Sequence, residues 1–129
     1  MIILSLLTIG NTSAYAPGVF REVVYNRQAG ITSHDLGEVP EDVTGFIAVS
    51  DCSLIGRKIL ACFDGGGCEK LLIADCAGVA DGGKTWMQEG GYAGEVSWNI
   101  WEKYKIPNEV LRVRLYLFKL KRIGRHEFQ

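Results

Sequence analysis

Near the end of the chain, the segment 111–120 alternates apolar and polar side chains, and this alternation limits the possible folds more than any other feature of the sequence. A two-residue period is the period of a β-strand with one buried face, because successive side chains of a strand point to opposite sides. The segment is therefore predicted to be a strand that faces the core with Val113, Leu115 and Leu117.

Shorter apolar runs elsewhere predict four more strands, at residues 19–25, 45–50, 58–62 and 70–74. Turn-rich pieces such as Asp81–Lys84 and Glu89–Gly91 separate the predicted elements. A single helix is predicted over 98–104, with Ser97 as its N-cap residue. A chain of 129 residues with 47% hydrophobic residues is long enough for one domain with a real core. We therefore expect an all-β fold, a small barrel with one short helix.

The first sixteen residues resemble a secretory signal peptide. An apolar stretch is followed by small and polar residues and by Ala14-Tyr15-Ala16, a triplet of the kind found at cleavage sites. No Lys or Arg precedes the apolar part, which is too short for a membrane-spanning helix of about 20 residues. The alternative is a first core strand. The predicted organisation is a signal peptide at 1–16, a barrel at 17–120 and a basic tail at 121–129.

The charge distribution separates an acidic body from a basic end. Residues 17–111 carry 8 Lys or Arg against 14 Asp or Glu, whereas residues 112–129 carry 6 against 1. Phosphate backbones are bound by Lys and Arg clustered along one face, so the acidic body argues against a nucleic-acid partner. The basic end is expected to be solvated.

Four cysteines, an even number in a small chain, are typical of disulfides in an exported protein. They allow three pairings. The segment 59–71 has the pattern of a β-hairpin with a glycine-rich turn, in which Cys62 and Cys68 would face each other and leave Cys52 with Cys76. A zinc site is the alternative, but no C-x2-C pair is present. We therefore expect neither a metal nor another cofactor.

The sequence LLIADCAG, residues 71–78, raises a question about Asp75, because an apolar strand there ends abruptly at a carboxylate. Asp75 could be a turn residue that bonds the backbone two residues on. A second carboxylate, Glu95, comes just before the predicted helix, where it could simply favour the positive end of the helix dipole.

The order of four short segments resembles the six-stranded double-psi β-barrel of the rare lipoprotein A, expansin and barwin superfamily. The segments are Ala14–Gly18, Ser53–Ile59, Leu71–Gly78 and Gly94–Trp101. They are similar to the family's opening A-S-W-Y-G, its L-P-x-G-T-x-V, its V-x-V-x-D-R-G-P and its I-D-L-S-x-x-A-F. The resemblance covers residues 14–118.

This resemblance implies that Asp75 and Glu95 lie at the rim of an open groove and are the candidate catalytic residues. Two carboxylates on one groove can cleave a glycosidic bond if one is kept protonated and the other stays charged. Tyr15, Trp86 and Asp51 are the candidate ligand-binding residues. Tyr15 and Asp51 lie in or beside the family's motifs, and Trp86 lies in the glycine-rich segment 81–91, where an aromatic side chain is hard to bury.

Two departures from the family pattern favour binding over cleavage. Members with transglycosylase activity have a histidine at a position that corresponds to Ser50 or Asp51. The histidines here are His34 and His126, which are expected to be solvated. Glu95 replaces the family's Asp and displaces the carboxylate by one methylene, and such a displacement can cost about a hundredfold in rate.

The functional expectation is a secreted, monomeric barrel in the cell envelope that binds peptidoglycan or another polysaccharide, with weak or no cleavage. After removal of the signal peptide, no stable membrane insertion is expected. The alternative is a glycan-cleaving enzyme, a lytic transglycosylase or a barwin-like endoglucanase, that uses Asp75 and Glu95. A structural exported domain that binds another protein is the third hypothesis.

Overall fold

Six strands close into one barrel in the computed structural model, which describes residues 1–78, 84–107 and 109–120. The strands are β1 (Ile2–Ala14), β2 (Gly45–Val49), β3 (Lys58–Phe63), β4 (Cys68–Cys76), β5 (Tyr92–Val96) and β6 (Arg112–Leu120). Their order around the barrel is β1-β5-β2-β4-β3-β6. The pairs β1–β5 and β2–β4 are parallel, and the other four pairs are antiparallel. The predicted all-β barrel is confirmed, and its six-stranded mixed sheet is consistent with a double-psi barrel.

The barrel interior is filled by the apolar side of each strand. Along β6 the predicted alternation is confirmed, because Val113 and Leu115 are completely buried while Arg112 and Arg114 are exposed. Other fully buried side chains in the same core include Ile47, Ile59, Leu71, Ile73 and Val96. Burial of such aliphatic side chains contributes about 1.5–3 kcal/mol each, so this core is the main source of stability.

The described residues form three α-helices rather than one: α1 (Val19–Gln28), α2 (Trp86–Gly90) and α3 (Trp98–Tyr104). The prediction of a strand over residues 19–25 was therefore wrong. Phe20, Val24 and Arg27 are spaced by four and three residues, which places them on one helix face, and all three are buried. The β-branched valines of this segment suggested a strand, but packing against the barrel outweighs that weak preference.

The helix predicted over 98–104 is confirmed, and Ser97 occupies its N-cap position. The Ser97 hydroxyl does not bond the helix backbone. It accepts a hydrogen bond from the Phe46 amide at 3.1 Å and donates one to Asn99 Oδ1 at 2.7 Å. The first turn of α3 is thereby fastened to β2.

Strand β5 was not predicted. Its sequence, YAGEV, contains a glycine that would weaken a strand in isolation. A Cβ at Gly94 would lie 2.8 Å from Ile47 Cδ1 and 3.0 Å from the Ala48 carbonyl oxygen. Only glycine lets β5 approach β2 this closely.

Residues 2–14, which were assigned to a signal peptide, form β1 in the structure. β1 is parallel to β5 at residues 11–14 and antiparallel to β6 at residues 2–11, so it closes the barrel. Residues 2–14 therefore have the conformation of the alternative, a first strand. Cleavage after residue 16 stays a prediction.

Both expected disulfides are present, Cys52–Cys76 and Cys62–Cys68. Cys62 lies directly opposite Cys68 in the β3–β4 hairpin, as the hairpin pattern predicted. Gly65, with φ 71°, supplies the left-handed backbone that the turn needs. Disulfides form and persist in oxidising environments, so the pair indicates an extracytoplasmic setting.

Three predictions fall wholly or partly outside the described residues: the turn at 81–84, of which only Lys84 is described, the basic tail at 121–129 and His126. Among the described residues, no helix has the length and apolar character needed to cross a membrane.

Removal of β1 should open the barrel. We expect a variant that begins at Pro17 to lose cooperative unfolding and amide chemical-shift dispersion, because β5 and β6 would both lose a partner strand. A control that lacks only residues 1–4, whose strand pairing is with β6, should remain folded. A Pro17 variant that unfolds cooperatively with unchanged stability would contradict the role of β1 and would favour the signal-peptide interpretation.

Candidate functional site

A β-bulge at the end of β4 explains why a carboxylate follows the apolar strand. Ile73 is aligned with Ile47 of β2, but the next residue of β2, Ala48, is aligned with Asp75 rather than Ala74. Ala74 is completely buried in the apolar cluster under α1. A bulge adds one residue to a strand and bends it locally. The alternation of buried and exposed side chains along β4 is therefore interrupted before Asp75.

Ala48 is also aligned with Glu95 of β5. The two candidate carboxylates therefore lie one strand apart on either side of the same alanine, with Cα atoms about 10 Å apart because neighbouring strands are about 4.8 Å apart. Ala48 is small and buried, and the ring of Tyr15 packs against it. The pairing of β2 with both β4 and β5 brings together two residues that are 20 positions apart in the sequence.

Both oxygens of Asp75 are engaged. Tyr15 donates its hydroxyl hydrogen to Oδ2 at 2.5 Å, and Arg27 Nη2 donates to Oδ1 in an ion pair. The Ala77 amide, which a turn-forming Asp75 would bond, instead donates to the carbonyl oxygen of Val49. The simple turn interpretation of Asp75 was therefore wrong.

Tyr15 follows the last residue of β1 and lies above Ala48. Its ring packs against Ala48, Ala77 and Met87 and makes an edge contact with Phe20, with ring centroids 4.3 Å apart. Burial, together with the hydrogen bond to Asp75, raises the pKa of Tyr15 well above the ordinary value for a phenol. The phenol therefore stays protonated and acts as a hydrogen-bond donor.

Arg27, on α1, was not recognised as a site residue from the sequence. Its side chain is only 10% exposed, and that of Asp75 is 16% exposed. Arg27 Nη1 also donates to the Thr32 hydroxyl at 3.2 Å. The helical spacing of Phe20, Val24 and Arg27 was the available signal, but the segment had been assigned to a strand.

Glu95 differs from Asp75 in its electrostatics. Burial, and then the nearby negative charge of Asp75, raise the pKa of Glu95 above 4.5. Glu95 therefore keeps its proton to a higher pH than an ordinary glutamate does. The pair has the division needed for acid catalysis, in which one carboxylate is paired with a cation while the other can donate a proton.

The buried carboxylate of Glu69 shows that burial alone does not raise the pKa of a glutamate. Burial favours the protonated form of Glu69, but hydrogen bonds from Lys103, Tyr104 and Thr44 outweigh it and lower the pKa. Lys103 and Tyr104 belong to α3, so Glu69 fastens this helix to β4. We assign Glu69 a structural role.

Asp51 lines a neighbouring cavity of about 380 Å³, which is also bordered by Ser50, Gln88 and Tyr92. The Asp51 carboxylate accepts hydrogen bonds from the Ser53 hydroxyl at 2.7 Å and from the Ser53 amide at 2.9 Å. The hydrogen bond from the Ser53 hydroxyl, and to a smaller extent the one from the Ser53 amide, lower the pKa of Asp51. Asp51 is exposed and stays charged, with capacity left for a ligand hydroxyl.

Trp86 is the first residue of α2 rather than part of a loop. Its side chain is 43% exposed, and its ring centroid is 5.9 Å from that of Tyr92. The next residue, Met87, packs against Tyr15, and Gln88 lines the cavity. Helix α2 therefore connects the Tyr15 cluster to the cavity beside Asp51.

The structure thus brings Tyr15, Asp75 and Glu95 together. Asp51 lines a separate cavity, and Trp86 lies beside Tyr92, which borders that cavity. No protein-family model, curated protein or solved structure matches the chain in comparisons of sequence and fold. Any functional conclusion therefore depends on the geometry and chemistry of these residues.

Replacing Asp75 with asparagine should destabilise the fold. Asp75→Asn leaves the charge of Arg27 buried without its partner, and loss of one member of a buried pair typically costs about 3–5 kcal/mol. Urea unfolding of Asp75→Asn measures this loss. Asp42→Asn is the control, because Asp42 pairs with Lys58 and Lys70 at the surface, where ion pairs contribute little. Equal stability of wild type and Asp75→Asn would contradict the buried ion pair.

Glu95 should make stability fall as pH rises. Since its folded-state pKa is raised above 4.5, the folded chain keeps a proton that the unfolded chain has already lost above that pH. Stability therefore declines from pH 4.5 through the folded-state pKa, and Glu95→Gln should remove this part of the decline. Urea unfolding at a series of pH values tests the expectation.

Glu69→Gln provides a control with the opposite sign. Because the folded-state pKa of Glu69 is lowered, its stabilisation is present above the unfolded-state pKa and is lost as pH falls through the folded-state pKa. If Glu95→Gln leaves the pH profile unchanged, Glu95 does not have a raised pKa.

Proposed function

We propose that this chain is an exported, polysaccharide-binding barrel of the rare lipoprotein A and expansin type, which binds cell-wall glycan without efficient cleavage. The observation that carries the proposal is the state of Asp75. Its two oxygens are held by Tyr15 and Arg27, so Asp75 could neither give nor take a proton without disrupting a buried ion pair. An arrangement of this kind favours a fixed binding surface.

The surface formed by β5 and α2 offers the groups that a sugar chain needs. Glu95 is half-buried and, with a raised pKa, can either donate or accept a hydrogen bond to a sugar hydroxyl. The exposed rings of Trp86 and Tyr92 offer apolar faces on which a pyranose ring can pack. The cavity beside Asp51, at about 380 Å³, is within the size range of small-molecule sites.

Export and family membership have separate support. The two disulfides favour an oxidising compartment. The order of the four family-like segments and the closed six-stranded barrel favour the double-psi family.

A glycan-cleaving activity is the second candidate, and the raised pKa of Glu95 favours it. Lytic cleavage needs one residue that acts as both acid and base while a hydroxyl of the sugar attacks. Glu95 could serve as that residue, with the charge of Asp75 helping to hold its proton. In this mechanism Tyr15 and Arg27 would hold the Asp75 carboxylate in position.

Retention on insoluble peptidoglycan, cellulose and chitin tests the binding proposal. We expect wild type to be retained on at least one of these glycans, and Trp86→Ala to weaken retention about tenfold, the equivalent of an aromatic contact of about 1.4 kcal/mol. Tyr25→Ala is the matched control, because Tyr25 is a 67% exposed aromatic residue on α1, away from the Trp86–Tyr92 pair. Failure of wild type to bind any of the three glycans would contradict the proposal.

A product-release assay on the same glycans separates binding from cleavage. The proposal predicts no release of oligosaccharides or muropeptides by wild type. Release that disappears in Glu95→Gln but persists in Glu102→Gln, with all three proteins equally folded, would establish the enzyme instead. Glu102 is an exposed glutamate on α3 and serves as the control for loss of a carboxylate.

A further inference from the structure

His34 lies beside one of the two disulfides. A ring nitrogen of His34 and the sulfur atoms of Cys52 and Cys76 all lie within 4.8 Å of one another, and the three residues are half-buried. His34 was expected to be a solvated loop residue. It does lie in a loop, but its ring is packed next to the sulfur atoms rather than extended into solvent.

The position of His34 is fixed by the buried arginine of the candidate site. Arg27 donates one hydrogen bond to Asp75, the residue before Cys76, and another to the Thr32 hydroxyl. The Thr32 hydroxyl in turn donates to the backbone carbonyl of His34 at 3.0 Å. A single guanidinium group therefore holds both the end of β4 and the loop that carries His34.

These three side chains have the chemistry of a thiolate-preferring metal site. Zinc takes cysteine sulfur at about 2.3 Å and histidine nitrogen at about 2.0–2.1 Å, so its tetrahedral ligand atoms lie about 3.3–3.8 Å from one another. The present separations of up to 4.8 Å are within reach of small side-chain rotations. Two cysteines and one histidine, with water in the fourth position, form a known type of zinc site.

We propose that reduction of the Cys52–Cys76 disulfide creates a metal site in which Cys52, Cys76 and His34 bind a soft, thiolate-preferring cation such as Zn²⁺. In this step an external dithiol supplies two electrons and two protons. The bond between the Cys52 and Cys76 sulfur atoms breaks to give two thiols, and the external dithiol is oxidised to a disulfide. Each cysteine then loses its proton as the metal binds. The oxidised chain cannot bind the metal at this site, because its sulfur atoms are bonded to each other. The site is therefore gated by redox state.

The second disulfide is an internal control. Cys62 and Cys68 close the β3–β4 hairpin, and in the described part of the chain they do not join such a group of three potential ligands. If reduced cysteines bound zinc without regard to geometry, both pairs would do so. If the histidine and the Arg27 contacts matter, only Cys52 and Cys76 would form the site.

The experiment is a zinc titration of the full chain carrying Cys62→Ser and Cys68→Ser, in oxidised form and after reduction with a phosphine that is then removed under anaerobic conditions. A chromophoric chelator measures the affinity, and Co²⁺ in place of Zn²⁺ shows a thiolate charge-transfer band. We expect one Zn²⁺ per reduced chain and none for the oxidised chain. His34→Ala in the same background should weaken affinity at least about tenfold.

The complementary background, Cys52→Ser with Cys76→Ser, should not bind Zn²⁺ with comparable affinity after reduction. Equal zinc affinity with and without His34, or equal affinity of the two cysteine pairs, would overturn the proposal. If reduction itself unfolds the chain, Zn²⁺ should restore the native circular-dichroism signal in the His34 protein and not in His34→Ala, because binding energy then drives folding. Failure of zinc to restore the fold would also overturn it.

Discussion

The arrangement of the candidate site depends on one buried ion pair, between Arg27 of α1 and Asp75 at the end of β4. A charge that is more than four-fifths removed from water is costly unless a partner and hydrogen bonds compensate it. Arg27 and Asp75 compensate each other, and Tyr15 occupies the remaining carboxylate oxygen. The end of β1, helix α1 and the end of β4 must therefore be in place together.

The same ion pair gives the two candidate carboxylates, Asp75 and Glu95, different properties. Asp75 is bound by both Tyr15 and Arg27, whereas Glu95 is half-buried, and burial and the negative charge of Asp75 raise its pKa. From the sequence, Asp75 and Glu95 were both candidate catalytic carboxylates, and their proximity alone would not assign them different roles. Their environments assign Asp75 to positioning and leave Glu95 as the group able to interact with a ligand. The binding proposal and the cleavage alternative differ only in what Glu95 does.

The sequence allowed the barrel class, four of the six strands, the helix α3 and both disulfides to be predicted, because each has a local signal. The alternation in β6 and the hairpin between Cys62 and Cys68 are examples. Helix α1 was missed since its valines favour a strand locally, while only contact with the barrel reveals the helical face. The bulge that aligns Asp75 with Ala48 depends on a partner strand more than 20 residues away, so no local pattern predicts it. The role of Arg27 could not be predicted either, because Arg27 lies on the missed helix and pairs with Asp75 at the bulge.

A double-mutant cycle on Arg27 and Asp75 tests the central claim most directly. The free energies of unfolding of wild type, Arg27→Met, Asp75→Asn and the double variant give the coupling energy of the pair. If the buried ion pair organises the site, each single variant leaves a buried charge or polar group without its partner, and the double variant loses less stability than the two single losses combined. The account predicts a coupling energy of about 2 kcal/mol or more. Additive losses, within about 0.5 kcal/mol, would contradict it.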